Sequence, residues 1–201
     1  MTTTLFLARH GQTDWNFEHR WQGHADPPLN EVGRTQAREL GMLLAGRGVS
    51  AVYSSDLRRA SETAELAAAA LGLPVVLDSR LREVDVGEWS GLTTAEVEAR
   101  YPEGYRRRRG GRTGWTEGEE LGAMARRVVA ALLEIAEHHP GETVLVVSHG
   151  GPLRAAAAAC GLEPGSYPNA RNGDVAEIAV RDGLMRWLDS SRGGLHQQVQ
   201  G

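Results

Sequence analysis

Two short apolar runs, residues 4–8 and 143–148, each stop at a histidine followed by a glycine, at His10-Gly11 and His149-Gly150. The second run is apolar throughout rather than alternating, which predicts a strand covered on both faces, as in a mostly parallel sheet packed between helices. Parallel neighbours cannot be joined by tight turns, so the intervening chain must supply crossover helices. A helix capped by Asn30, with Val32, Leu40, Leu43 and Leu44 on one face, ends at Gly46 and Gly48. A strand over 49–54, an alanine-rich helix over 57–71 closed by Gly72, and a strand over 75–77 follow. Further on, Leu121, Met124, Val128, Val129, Leu132 and Ile135 recur at helical spacing before Pro140-Gly141, and a helix over 151–160 comes after the second apolar run. Runs over 175–180 and 184–188 flank Arg181-Asp182-Gly183, whose Asp-Gly pair favours a tight hairpin.

Strands alternating with helices predict an α/β fold, a three-layer αβα sandwich with a mostly parallel central sheet. In such sheets ligands sit beyond the carboxyl ends of the strands, the edge that His10 and His149 occupy. The expected organisation is a single domain over residues 1–201, with a polar, lid-like insertion at about 84–118 that holds a short helix near 93–100. Residues after 192 read as a disordered tail. The formal charge of -4 argues against nucleic-acid binding, which rests on excess Lys and Arg, so any anion site must be local. The one cysteine, Cys160, has no intramolecular disulfide partner and sits in an apolar stretch that predicts a buried reduced thiol. The first eight residues are too short for a secretory apolar region and no run is long enough to cross a bilayer, which makes a cytoplasmic location, away from membranes, the expectation.

Arg9-His10-Gly11 alone carries little weight, since lone histidines are more often structural than catalytic. Its context is long. Arg9-His10-Gly11-Gln12-Thr13-Asp14-Trp15-Asn16 is followed by Gln22-Gly23, Asp26-Pro27-Pro28-Leu29-Asn30 and Gly33-Arg34-Thr35-Gln36-Ala37. Then come Ser54-Ser55-Asp56-Leu57-Arg58-Arg59-Ala60 leading to Thr63-Ala64, Leu81-Arg82-Glu83 leading to Gly87-Glu88-Trp89-Ser90-Gly91-Leu92, and Val147-Ser148-His149-Gly150-Gly151. This ordered set, spanning residues 5–153, resembles the histidine phosphatase superfamily, also called phosphoglycerate mutase-like, and within it the phosphatase branch.

The resemblance implies hydrolysis of small phosphomonoesters through a phosphohistidine on His10, with Glu83 as proton donor and with no metal or other cofactor. A neutral imidazole nitrogen attacks phosphorus well and splits one difficult displacement into two easier ones. The neighbouring Arg9 cation should lower the pKa of His10, and the resemblance implies a hydrogen bond from its other ring nitrogen to a nearby carbonyl. A phosphoryl group in transfer spreads charge over its equatorial oxygens and needs several fixed donors. By resemblance Arg9 and Arg59 present guanidinium forks to them, His149 adds a donor that is cationic with phosphate bound, and Asn16 adds a neutral one. Gln22, Gly23 and Gly150 complete the implied substrate-binding set. Of the paired arginines, Arg59 holds the family position before alanine and Arg58 reads as a solvated helix residue. Glu83 is singled out by the resemblance and not by spacing, because Asp85 and Glu88 lie close by.

Weaker signals have plainer readings. His138-His139 point about 100° apart on a helix and cannot chelate one ion together, so they read as helix-end charge and no metal site is assigned. Arg106, Arg107, Arg108 and Arg109, with Arg112, read as a solvated face that could also meet a second acidic group on the substrate. Trp21, Trp89 and Trp115 flank or enter the same loops and could line a pocket wall, but large aromatics pack cores more often than they read ligands, so they are left out of the site. The alternative of a phosphoglycerate mutase is disfavoured because Glu83-Val84-Asp85-Val86-Gly87-Glu88-Trp89 departs from the glutamate-arginine-histidine-tyrosine-glycine signature of bisphosphoglycerate-dependent mutases. A non-catalytic phosphate-binding scaffold is disfavoured because all five expected catalytic positions are filled. A sugar phosphate or a phosphoglycerate derivative both stay open as substrate, and a homodimer stays open as assembly.

Overall fold

The computed structural model describes residues 1–163 and 171–188. Strands β1 (Thr3–Arg9), β2 (Val49–Ser54), β3 (Val75–Leu77) and β4 (Thr143–Ser148) run parallel, while β5 (Val175–Arg181) and β6 (Leu184–Leu188) extend the sheet antiparallel. The strand order is β3-β2-β4-β1-β5-β6. Pairing of β1 with β4 runs from Thr4 opposite Thr143 to Arg9 opposite Ser148, so His10 and His149 leave the sheet side by side. The amide of His10 still donates to the Ser148 carbonyl at 2.9 Å, which prolongs the ladder one residue into the site. Asp182 and Gly183 turn β5 into β6 with φ of 52° and 75°, the paired positive values the Asp-Gly hairpin requires.

Helices α1 (Asp14–Phe17), α2 (Glu31–Leu44), α3 (Arg58–Leu71), α4 (Thr94–Arg100), α5 (Pro102–Arg109), α6 (Leu121–His138) and α7 (Gly150–Ala159) flank the sheet. Leu40 and Leu44 of α2 and Ala60 and Ala64 of α3 pack with Phe6, Ala8, Leu145 and Val147. Val128 and Leu132 of α6 and Ala156 of α7 pack with Leu5, Leu7, Val144 and Val146 on the other face. Successive residues of β1 and β4 thus enter two different cores, and the αβα layering follows.

Some local expectations are revised. The buried face of α2 is Gly33, Ala37, Leu40, Gly41 and Leu44, and Val32 stands exposed. Leu40 and Leu44 are buried as expected, and the small residues join them because α3 approaches so closely that a Cβ on Gly41 would meet the Ala67 carbonyl oxygen at 2.6 Å. Between residues 84 and 118 there are two α-helices where one was expected. The first carries a Thr93–Glu96 capping box. The second, α5, has no apolar period to betray it, but Pro102 opens it and four arginines fill its last turn, where the helix dipole favours cations. Trp89 and Trp115 from this segment are buried with Val84, Val86 and Val97. Cys160 is half-buried rather than buried, and desolvation pushes its thiol up to about 11. The tail expected after residue 192 lies outside the described residues. Among the described residues no helix is long and apolar enough to cross a membrane.

Candidate active site

Where β1 ends, the backbone must turn sharply under α2. A Cβ on Gly11 would lie 2.4 Å from the Gly33 carbonyl oxygen, and one on Gly33 would lie 2.1 Å from that of Gln12, so both glycines are demanded by the close approach. The turn is then tied from several directions. Gly11 N donates to Thr63 Oγ1 at 3.0 Å, Asn30 N donates to the Gln12 carbonyl at 3.0 Å, and Asn172 Nδ2 donates to the His10 carbonyl at 3.0 Å.

His10 is buried, and its Nδ1 lies 2.7 Å from the Gly11 carbonyl. A carbonyl only accepts, so the proton sits on Nδ1 and the lone pair on Nε2. Burial first, then the Arg59 and Arg9 cations, hold the His10 pKa well below the ordinary imidazole value, and the ring is neutral at neutral pH. Arg9 is therefore the lesser of the two charged causes, and desolvation exceeds both. The expected bond to a nearby carbonyl is present.

The His149 ring meets that of His10 edge-on, with centroids 5.1 Å apart. Its Nε2 is 2.9 Å from Ser55 Oγ, and its Nδ1 is buried without a hydrogen-bond partner among the described residues. Burial, with Arg59, His10 and Arg9, lowers its pKa well below the ordinary value, so a cationic form requires an anion to be present. Arg59 is 1% exposed, and burial lowers its pKa to about 10, which leaves it cationic at neutral pH. Its fork is not wholly aimed at a ligand: Nη1 donates to the Ala25 carbonyl at 2.7 Å and Nη2 to that of Gly23 at 2.8 Å, while Nε has no partner among the described residues. Gly23 has φ of +50°, and a Cβ there would lie 2.7 Å from Val86 Cγ2.

Glu83 reaches across to the first turn of α7, where its Oε2 accepts from Gly151 N at 3.1 Å and its Oε1 from Val84 N at 2.9 Å. Asn16 closes a capping box with Thr13, and its Oδ1 accepts from Thr13 N, Thr13 Oγ1 and Asn172 Nδ2 at 3.1 Å each. With three donors on the oxygen, the amide NH2 is the end left for a ligand.

These groups converge on a cavity of about 650 Å³. Of the residues singled out from sequence, Arg9, His10, Asn16, Gln22, Gly23, Arg59 and Glu83 line it, whereas His149, in edge-on contact with His10, and Gly150 are not part of its lining. Sequence reasoning missed Arg20, Arg154, Arg171 and Asn172, which also line it. Arg154, one helical turn beyond Gly150 on α7, could have been found from that i, i+4 spacing. Arg171 and Asn172 sit in a stretch without periodicity and gave no signal. Of the arginine run in α5 only Arg108 lines the cavity, its guanidinium 6.0 Å from the Trp21 ring centroid. Arg106 pairs with Glu103 at 3.8 Å and Arg107 donates to the Gly114 carbonyl at 3.0 Å. Trp21 lines the cavity too, unlike the two core tryptophans. Among the described residues no cluster of three His, Cys, Asp or Glu side chains could hold a metal ion. With several guanidinium groups and Glu83 as the one carboxylate among the described residues of the lining, the cavity suits an anion carrying more than one charge.

The profile of the histidine phosphatase superfamily, branch 1, matches residues 5–188. Phosphoglycerate mutase-like protein 4 of Arabidopsis thaliana is 41% identical over 156 residues, covering 75% of this chain and 68% of that protein. Phosphoserine phosphatase 1 of Hydrogenobacter thermophilus is 39% identical over 160 residues, covering 75% and 72%. The structure of a mycobacterial glucosyl-3-phosphoglycerate phosphatase in complex with VO3 superposes with a TM-score of 0.79 at 33% identity, covering 93% of this chain and 96% of that one.

Proposed function

This chain belongs to the histidine phosphatase superfamily, and from that premise we propose that it hydrolyses small phosphomonoesters through a covalent phosphohistidine on His10. The observation that carries the reading is the tautomer of His10: Nδ1 is committed to the Gly11 carbonyl, which leaves a neutral Nε2 as nucleophile near the buried Arg59 and the half-buried Arg9. Nε2 attacks phosphorus while Arg9, Arg59 Nε and the Asn16 amide donate to the equatorial oxygens. In this scheme the Ser55 hydroxyl donates to His149 Nε2, 2.9 Å away, and the ring proton sits on Nδ1, which adds a further donor. Glu83 gives its proton to the leaving oxygen, then takes one from the water that attacks the phosphohistidine. The negative charge is held by guanidinium and imidazole groups throughout, and no step calls for a metal, so EDTA leaves the rate unchanged.

The substrate class that fits is a phosphorylated metabolite with a second anionic group. Arg154 and Arg171 line the cavity without an ion-pair partner among the described residues, and Arg108 lies over Trp21 on the same wall. Phosphoserine and glucosyl-3-phosphoglycerate, for which two relatives are named, both carry a carboxylate besides the phosphate.

The test is phosphate release from 4-nitrophenyl phosphate by wild type and His10→Ala, with trapping of acid-labile phosphate on the protein. Wild type turns over and labels at His10, and the variant does neither; equal rates would end the reading. A mutase would instead be strongly activated by bisphosphoglycerate and release little phosphate from 3-phosphoglycerate. The relative named as mutase-like keeps that second outcome worth measuring.

A further inference from the structure

We infer that Arg127, a residue of α6 outside the cavity, is the positioning residue of the general acid. The inference rests on the reading of Glu83 as proton donor. All five guanidinium N–H bonds of Arg127 are used. Nη1 donates to the carbonyls of Arg80 and Arg82 at 2.7 and 2.8 Å, and Nη2 donates to that of Glu83 at 2.8 Å. Nε and Nη2 donate to Glu119 Oε1 and Oε2, both at 2.7 Å. Three carbonyls within four residues thus face one planar cation, in a loop whose own backbone ladder ends with the short turn Ser79–Leu81.

The other contacts of this loop make Arg127 its anchor. The Glu83 carbonyl also accepts from His24 Nε2 at 2.9 Å, and Ser148 Oγ donates to the Leu81 carbonyl at 2.7 Å from the end of β4. Glu119 offsets the charge of Arg127 and is itself tied past the acid, its amide donating to the Asp85 carbonyl at 2.9 Å. The Glu83 backbone is therefore held on both sides, and the carboxylate is left to reach Gly151 N. Proton transfer tolerates little error, since donor and acceptor must come within about 2.6–3.2 Å. A lysine could not reproduce the grip, because its donors radiate from one nitrogen and cannot serve three carbonyls and a bidentate carboxylate.

A residue that acts through the acid matters most when the leaving group is poor. The experiment measures kcat/KM, which reports the steps through P–O cleavage, for phenyl phosphates from 4-nitrophenyl to 4-methoxyphenyl. Wild type, Glu83→Gln, Arg127→Gln, Arg127→Lys and Glu119→Gln are compared, each with its urea midpoint. For Glu83→Gln and Arg127→Gln the 4-methoxyphenyl ester loses about ten-fold more than the 4-nitrophenyl ester, with smaller selective losses for the other two. An equal loss on all esters in the Arg127 variants, with Glu83→Gln still selective, overturns the inference and spares the function. No selectivity in Glu83→Gln itself would remove the acid assignment on which the inference stands. If Arg127→Gln does not fold, Arg127→Lys and Glu119→Gln decide by the same criterion.

Discussion

Replacing Gly151 by alanine perturbs Glu83, the proposed acid, with almost nothing else disturbed. Gly151 lies in the first turn of α7 and its φ is not positive, so alanine meets no backbone strain. The added Cβ would stand 2.1 Å from Glu83 Oε1, 3.2 Å from its Cδ and 3.3 Å from Met124 Cε. Ordinary contact begins at 3.4 Å, so the carboxylate must retreat by roughly 1.3 Å, and a misplacement of that size costs about a hundred-fold in rate. The atom displaced is the far end of a flexible side chain, so folding hardly resists. Losing the 3.1 Å bond from Gly151 N costs about 1–2 kcal/mol. The gain of helix propensity, about 0.5–1 kcal/mol, offsets part of that. Stability should therefore fall by no more than about 1.5 kcal/mol in urea unfolding, while kcat/KM for phenyl phosphate falls about a hundred-fold, roughly 2.7 kcal/mol of barrier. The 4-nitrophenyl ester should suffer less. A folded Gly151→Ala with wild-type kcat/KM on phenyl phosphate would refute the placement of Glu83 as donor.

Gly33→Ala offers a contrast, because its Cβ would meet the Gln12 backbone at 2.1 Å, which cannot swing away; a loss of about 1–3 kcal/mol in urea unfolding is expected, and an unchanged midpoint would contradict the packing of α2 on the turn after His10. Both His10 and His149 have pKa values lowered by burial well below 6.5, so the unfolded chain takes up protons on acidification that the folded chain refuses. Stability should fall as pH drops through about 6.5, by up to ~1.4 kcal/mol per pH unit per histidine. His10→Ala should lessen that slope, and identical slopes from pH 7 to pH 5 would count against the buried neutral pair. Arg154→Ala and Arg171→Ala should raise KM for phosphoserine about ten-fold while leaving that for phenyl phosphate within about two-fold; equal effects on both substrates would mean that neither arginine reads a second anion.

Strand content, layer order and the carboxyl-edge position of His10 and His149 follow from sequence because each rests on local pattern: uninterrupted apolar runs, glycine at a sharp exit, an Asp-Gly hairpin. The resemblance could then name Arg9, Arg59 and Glu83 residue by residue. Helix α5 escaped that reading because its face is almost wholly polar; on α2 Leu40 and Leu44 are buried as expected, but Gly33, Ala37 and Gly41 complete the face in place of Val32 because α3 packs too closely for larger side chains.

Other properties exist only once distant segments meet. The tautomer of His10 is set by the angle of a turn, the orientation of the Asn16 amide by Asn172, and the choice of Arg108 out of four consecutive arginines by which side of α5 faces the cavity. Arg127 reads from sequence as one more charge on an amphipathic helix, and its partners lie as many as 47 residues away. A hydrogen bond needs donor and acceptor aligned within a few tenths of an ångström, and no periodicity in a chain specifies that; the packing of α6 and α7 against the central strands of the sheet does.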